Sequence, residues 1–125
     1  MTGRNVVPLP VTENLLLDVF DPPVSFHRCL VPVTGSVTAA LMLSHAIWSS
    51  QASEPDADGW FVKSREEWGD ETGLSRSEQE TARRALRDGG FLEERRVGMP
   101  AKLCFRVRPD HVLRALQRQA AGARR

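Results

Sequence analysis

Arg76, Arg83, Arg84 and Arg87 crowd into one short segment, RSEQETARRALR. Drawn as a helix at 100° per residue, the segment places these four with Ser77 and Glu80 on one arc, and Ser75, Glu78, Ala82, Ala85, Leu86 and Gly89 on the opposite, core-facing arc. A guanidinium can fork onto phosphate oxygens or onto the O6 and N7 atoms of guanine. Ser75 and Ser77 stand at the expected helix start, where unsatisfied N–H groups favour an anion. Glu80 can pair with Arg76, Arg83 and Arg84 at helical spacing, each pair worth some tenths of a kcal/mol. One carboxylate does not neutralise four guanidiniums. Two readings follow: a face that contacts nucleic acid, or a solvated helix surface.

The elements that position this face are legible around it. Ser64-Arg65-Glu66-Glu67 and Ser75-Arg76-Ser77-Glu78 each place Ser three residues before Glu, the spacing of a capping box. Two helices are therefore expected, the first ending near Thr72 because Gly73 supplies a left-handed turn and Leu74 plugs inward. A short helix, a tight turn and a longer helix form a helix-turn-helix pattern. After Gly89-Gly90, the segments Phe91 to Val97 and Lys102 to Arg108 read as a β-hairpin around Gly98-Met99-Pro100-Ala101. In its second strand Leu103, Phe105 and Val107 alternate with Lys102, Cys104, Arg106 and Arg108, giving a core face and a basic face. Arg95, Arg96 and Lys102 near the tip can reach a nucleic-acid backbone or minor groove, or keep an edge hairpin soluble.

Upstream, Pro8, Pro10, Pro22 and Pro23 punctuate an expected extended arm over residues 1–24, with LLLDVF as a short strand that packs on its own domain or on a second copy. Ser25 to Val33 reads as another short strand, and Ser36 to Ser50 as a central helix with Val37, Ala40, Leu41, Ser44, Ile47 and Trp48 on one face. Further apolar positions widen that stripe around most of the helix. His45 within it is expected to be structural. Gln51 to Gly59 is an exposed acidic loop, Trp60-Phe61-Val62 a brief strand, and Asp110 to Ala120 a closing helix capped by Asp110 with Val112, Leu113 and Leu116 inward. Residues 121–125 are expected to fray.

Composition bounds what such a chain can do. Its 125 residues, 41% hydrophobic and 26% charged, suit a single domain. The net charge of +1 conceals a split: residues 1–75 carry four Lys and Arg against ten acids, and residues 76–125 thirteen against six. The basic half can present a phosphate-binding face on an otherwise near-neutral protein. No apolar run has the length of a membrane span and residues 1–10 have no export signal, so no membrane partner and a cytoplasmic location are expected. Cys29 and Cys104 are expected as reduced thiols packed like small hydrophobes. No enzyme is expected, since the paired carboxylates Glu66-Glu67 and Asp70-Glu71 sit on a short surface helix and Ser44-His45 point apart. The sequence holds no phosphate loop with Lys, no nucleophile elbow and no metal-spaced His cluster, so no cofactor or metal is expected.

The stretch WFVKSREEWGDETGLSRSEQETARRALRDGGFLEERRVGMPAKLCFRV resembles a winged helix-turn-helix domain. It is most similar to the DNA-binding domains of phage and plasmid replication proteins, where an apolar helix like LMLSHAIW precedes an aromatic strand, an EEW helix, the turn ETGLS, a helix with ARRAL and a wing like GMPAKLCFRV. The resemblance covers roughly residues 25–108 and implies an α+β, mainly α, winged helix over residues 25–120. It implies double-stranded DNA binding through Ser75, Arg76, Ser77, Glu80, Arg83, Arg84 and Arg87, helped by Arg95, Arg96 and Lys102. The role implied is replication initiation or regulation. Transcription regulators use the same parts, and a winged helix that binds protein instead is the other class to weigh, with the arm joining two copies as a homodimer.

Overall fold

A computed structural model describes residues 10–123. The order of elements is α1 (Glu13–Val19), α2 (Leu30–Thr34), α3 (Val37–Ala52), β1 (Phe61–Val62), α4 (Arg65–Thr72), α5 (Arg76–Asp88), β2 (Leu92–Val97), β3 (Lys102–Val107) and α6 (Pro109–Ala123). The fold is α+β and mainly helical, with helix-turn-helix α4–α5 followed by the β2–β3 hairpin as a wing. β1 closes a three-stranded antiparallel sheet of order β1-β3-β2, with Phe61 opposite Phe105 and Leu92 opposite Val107.

Local chemistry accounts for the helix-turn-helix. Ser64 Oγ accepts from the N–H of Glu67 at 3.1 Å while Glu67 accepts from the N–H of Ser64. Ser75 and Glu78 repeat the exchange at 3.2 and 2.9 Å. Between them Gly73 turns at φ 76°, and the N–H of Leu74, itself buried, donates to Thr72 Oγ1. Each box satisfies N–H groups that a helix start leaves open.

Trp68, on α4, sits at the centre of the core. It meets Phe105 edge-on at 5.4 Å and Phe61 at 6.5 Å, and Met42, Leu43, Leu86 and Leu92 are buried with these rings. α3 is buried along Ala39, Ala40, Met42, Leu43 and Ala46, as a central helix requires, but the expected face is wrong at Val37 and Trp48, which are exposed.

Several expected elements differ. LLLDV is helical, with Phe20 ending the helix, because Thr12 Oγ1 caps the N–H of Leu15 and leucines sustain a turn well. The Ser25–Val33 segment is not a strand; its end forms α2, where Pro32 is tolerated because the first turn needs no N–H donor there. β-branched residues prefer strands only where a sheet is there to receive them. Leu113 is exposed while Ala115 takes the inward place, and α6 begins at Pro109, so Asp110 lies in the first turn. α6 also runs through Ala123, three residues past the end expected at Ala120. Residues 1–9 of the arm and 124–125 of the tail lie outside the described residues. Cys104 is packed as a small hydrophobe, on the face expected to be basic, whereas Cys29 is exposed rather than packed. β3 is the central strand, so both of its edges are paired, and Cys104 lies opposite Val62 of β1 and Arg95 of β2. The acidic loop is ordered by Asp56, whose Oδ1 accepts from the N–H groups of Asp58 and Trp60.

One polar cluster lies against this core. Buried Lys63 and His45 both bond Glu71 Oε1, Lys63 Nζ at 2.5 Å and His45 Nε2 at 2.7 Å. The His45 ring also stacks on Trp48 and meets Trp68 edge-on. His45 is thus structural. Partial burial works to raise the Glu71 pKa, but the hydrogen bonds from His45 and Lys63 outweigh it and hold the carboxyl below its ordinary value. A carboxyl lowered in the folded state stabilises above its unfolded pKa, and that contribution disappears as pH falls through the folded value. Glu71→Gln should therefore lower the denaturant midpoint at neutral pH, with the gap from wild type closing in acid. Glu71→Ala, which strands Lys63, should cost about 3 kcal/mol in urea unfolding at neutral pH.

Candidate nucleic-acid interface

The rotation of α5 decides which of its arginines meet solvent. Gln79, Ala82, Arg83 and Leu86 form the buried side, while Ser75 and Glu78 are exposed and Ala85 is half-buried. The inward face is turned about 60° from the one expected from the residue types. β2 packs on this side of α5, and it brings Glu94 to Arg83. Arg83 Nη2 donates to Glu94 Oε2 at 2.8 Å and Nε to Oε1 at 3.3 Å, with Glu80 at 3.5 Å, and only 7% of Arg83 is exposed. The Glu94 hydrogen bond raises the Arg83 pKa against the opposing effect of burial. The expectation that Arg83 lies on the solvent face is therefore corrected: it is an internal tie between helix and wing.

The other predicted residues divide into committed and free. Ser75 is exposed, but its Oγ caps Glu78 and lies 3.3 Å from Ser77 Oγ. Backbone and side-chain hydrogen bonds from Ser75 hold the Glu78 carboxyl below its usual range. Arg87, exposed, lies 3.7 Å from Glu94. Arg95 lies 4.0 Å over the ring of Trp60 and 3.7 Å from Asp56, so the ordered acidic loop occupies it. Arg106 also lies over Trp60, at 4.9 Å, while bonding Glu93 at 2.9 Å beside Arg108 at 3.2 Å. Arg76, Arg84, Arg96 and Lys102 are exposed, and among the described residues none of them has a carboxylate within 4.0 Å. Ser77 and Arg84 stand outermost on α5, with Glu80 exposed beside them.

A groove of about 610 Å³ brings three of these cations together. Arg76 enters it from the start of α5, Arg96 and Lys102 from the wing, and Arg65 from the start of α4. Sequence reasoning missed Arg65, which sits between a capping Ser and two acids and reads locally as helix-surface charge. Its only hint was its place as the first residue of α4. Gln79 supplies the positioning: its buried amide donates to the carbonyls of Arg65 and Leu74 at 3.2 Å each, clasping both helix starts. Glu66 and Glu67 also line the groove, Glu67 being engaged in its capping box. The arrangement offers forked donors from three elements around one concave surface, suited to a phosphate backbone or a base edge. Among the described residues there is no group of three or more His, Cys, Asp and Glu able to hold a metal ion, and no helix is long and apolar enough to cross a membrane.

No family model matches the sequence, and no curated protein matches it. A solved structure described as "N-Terminal domain of DNA binding protein" superposes with a TM-score of 0.53 over 82% of this chain and 84% of its own, at 13% identity. At that identity the likeness is one of fold.

The pairing pattern predicts a clear contrast in stability. Arg83→Ala strips the largely buried Glu94 of both its hydrogen bonds, leaving it only Arg87 at 3.7 Å, and should lose about 2 kcal/mol in chemical unfolding. Arg84→Ala, one residue further on, should change it by less than about 0.5 kcal/mol.

Proposed function

We propose that this chain binds double-stranded DNA through α5 and the wing. The observation that carries this reading is the convergence of Arg65, Arg76, Arg96 and Lys102 on one groove of a helix-turn-helix, with Arg84 unpaired on the outer face of α5. α5 offers Arg76, Ser77, Arg84 and Arg87 to the major groove while Arg96 and Lys102 hold the adjacent backbone or minor groove. Arg95 and Glu80 take secondary places, and Ser75 acts by setting the start of the helix. The fold shared with a domain described as belonging to a DNA-binding protein supports the reading. So does the excess of positive charge after residue 75.

The role we assign is initiation or regulation of replication of the phage or plasmid kind, carried out in the cytoplasm by a module spanning residues 25–120. Regulation of transcription uses the same contacts. Two copies joined through the arm would meet a site with two-fold symmetry. The exposed apolar residues of α1 favour one second reading, a winged helix whose partner is protein.

Fluorescence anisotropy with mixed-sequence duplex DNA tests the proposal. Affinity should fall steeply with salt, with a log–log slope of about −0.9 for each phosphate neutralised. Arg76→Glu combined with Arg84→Glu should weaken binding more than about tenfold at low salt, with melting unchanged, since both side chains are exposed and unpaired. Absence of binding at low salt would reject the DNA reading in favour of the protein-binding one.

A further inference from the structure

The tip of the wing is apolar where a turn is ordinarily polar. Val97, Gly98, Met99, Pro100 and Ala101 follow one another without a charged or hydrogen-bonding side chain, and all five are exposed. Met99 is 99% exposed and Val97 47%. Hairpin turns favour Asn, Asp and Gly, and a run of exposed apolar residues works against solubility unless a ligand covers it.

The surroundings choose the ligand. Arg96 and Lys102 bracket the tip, and among the described residues neither has a carboxylate within 4.0 Å. Ala101 and Lys102 also line the groove that holds Arg65 and Arg76, so the tip is continuous with the face assigned to DNA. An apolar plug between two unpaired cations matches a base stack between two phosphate backbones. We propose that Met99, backed by Pro100, wedges between stacked base pairs from the minor groove and kinks the duplex. This rests on the DNA reading above and adds to it a deformation of the bound duplex.

The dimensions fit. Val97 and Lys102 form the last pair of the hairpin, and Met99 lies two residues beyond Val97, a reach of up to about 7 Å to which its long side chain adds. The minor groove is about 7.5 Å deep and about 6 Å wide. With Arg96 and Lys102 at the phosphates on its rim, the thioether arrives at the base edges, and the small residues Gly98 and Ala101 keep the tip slim. A minor-groove wedge bends DNA toward its major groove, the groove given to α5, and so wraps the duplex onto one face of the protein. Pyrimidine–purine steps unstack most readily, so a TA or CA step beneath the wing is the preferred substrate. An anionic bilayer also combines charge with an apolar interior, but Met99 and Val97 offer it less apolar chain than a myristoyl group, which alone anchors only marginally.

Energy transfer between dyes at the two ends of a duplex with a central TA step tests the wedge on the full chain. Saturating wild type should raise the transfer to that of a bend of about 20° or more. Met99→Ser should remove most of this rise, and Met99→Phe, another wedge, should keep it. Wild type should also bind a duplex with a central mismatch, where unstacking costs less, at least about threefold tighter than the matched one, and Met99→Ser should erase that preference. Met99 is almost wholly exposed, so circular dichroism should show unchanged thermal melting in both variants. Binding without a bend, or a bend that survives Met99→Ser, would overturn the wedge and leave the DNA reading standing. Absence of DNA binding at low salt would overturn both. Met99-dependent binding to phosphatidylserine vesicles in place of a bend would overturn the wedge in favour of a membrane contact.

Discussion

The Arg83–Glu94 pair governs the geometry of the candidate face. It joins α5 to β2 with two hydrogen bonds across a buried contact, and so sets both the roll of the helix and the seat of the hairpin. Breaking such a pair leaves an uncompensated charge in a poorly solvating place, which is why it resists rearrangement. With Arg83 turned inward, Arg76 and Arg87 move to the wing-facing edge of α5, while Arg84 and Ser77 take the outermost line. The groove where Arg76 meets Arg96 and Lys102 is a consequence of that roll.

A second level of support lies under α4. Trp68 fills the centre, and Gln79 reaches from α5 to hold the carbonyls at the starts of both helices. On the other side, Lys63 and His45 share one oxygen of Glu71 and tie α3, the end of β1 and α4 together. Buried polar groups of this kind demand specific partners, so they hold elements in one register where apolar packing alone tolerates several. The turn between α4 and α5 is thereby held from both ends.

The distribution of partners among the cations sorts structural from available charge. Arg83, Arg95, Arg106 and Arg108 are bound to Glu94, Asp56 and Glu93, and two of them stack on Trp60. These interactions stiffen the sheet and its covering loop. Arg76, Arg84, Arg96 and Lys102 have no carboxylate partner among the described residues, and three of them, Arg76, Arg96 and Lys102, line the groove between the helix-turn-helix and the wing. A net charge near zero is compatible with such a face because acids neutralise cations elsewhere.

The sequence by itself determined the parts whose stabilising contacts are local. Ser64 with Glu67, Ser75 with Glu78, and Gly73 between them specify two helices and their turn, because the bonds that form them span three or four residues. The hairpin alternation at Leu103, Phe105 and Val107 marks the core face of β3 for the same reason, since neighbouring side chains alternate across a strand. Tertiary structure decided the rest. Residue types around α5 suggested that Arg83 faces water, but a carboxylate eleven residues away offered it a better partner. LLLDV and LVPVT carry apolar residues that suit a strand or a helix, and only caps and neighbouring helices selected the latter. Arg65 belongs to the groove because the fold brings the start of α4 against the wing, a proximity between residues more than thirty apart that no local pattern encodes.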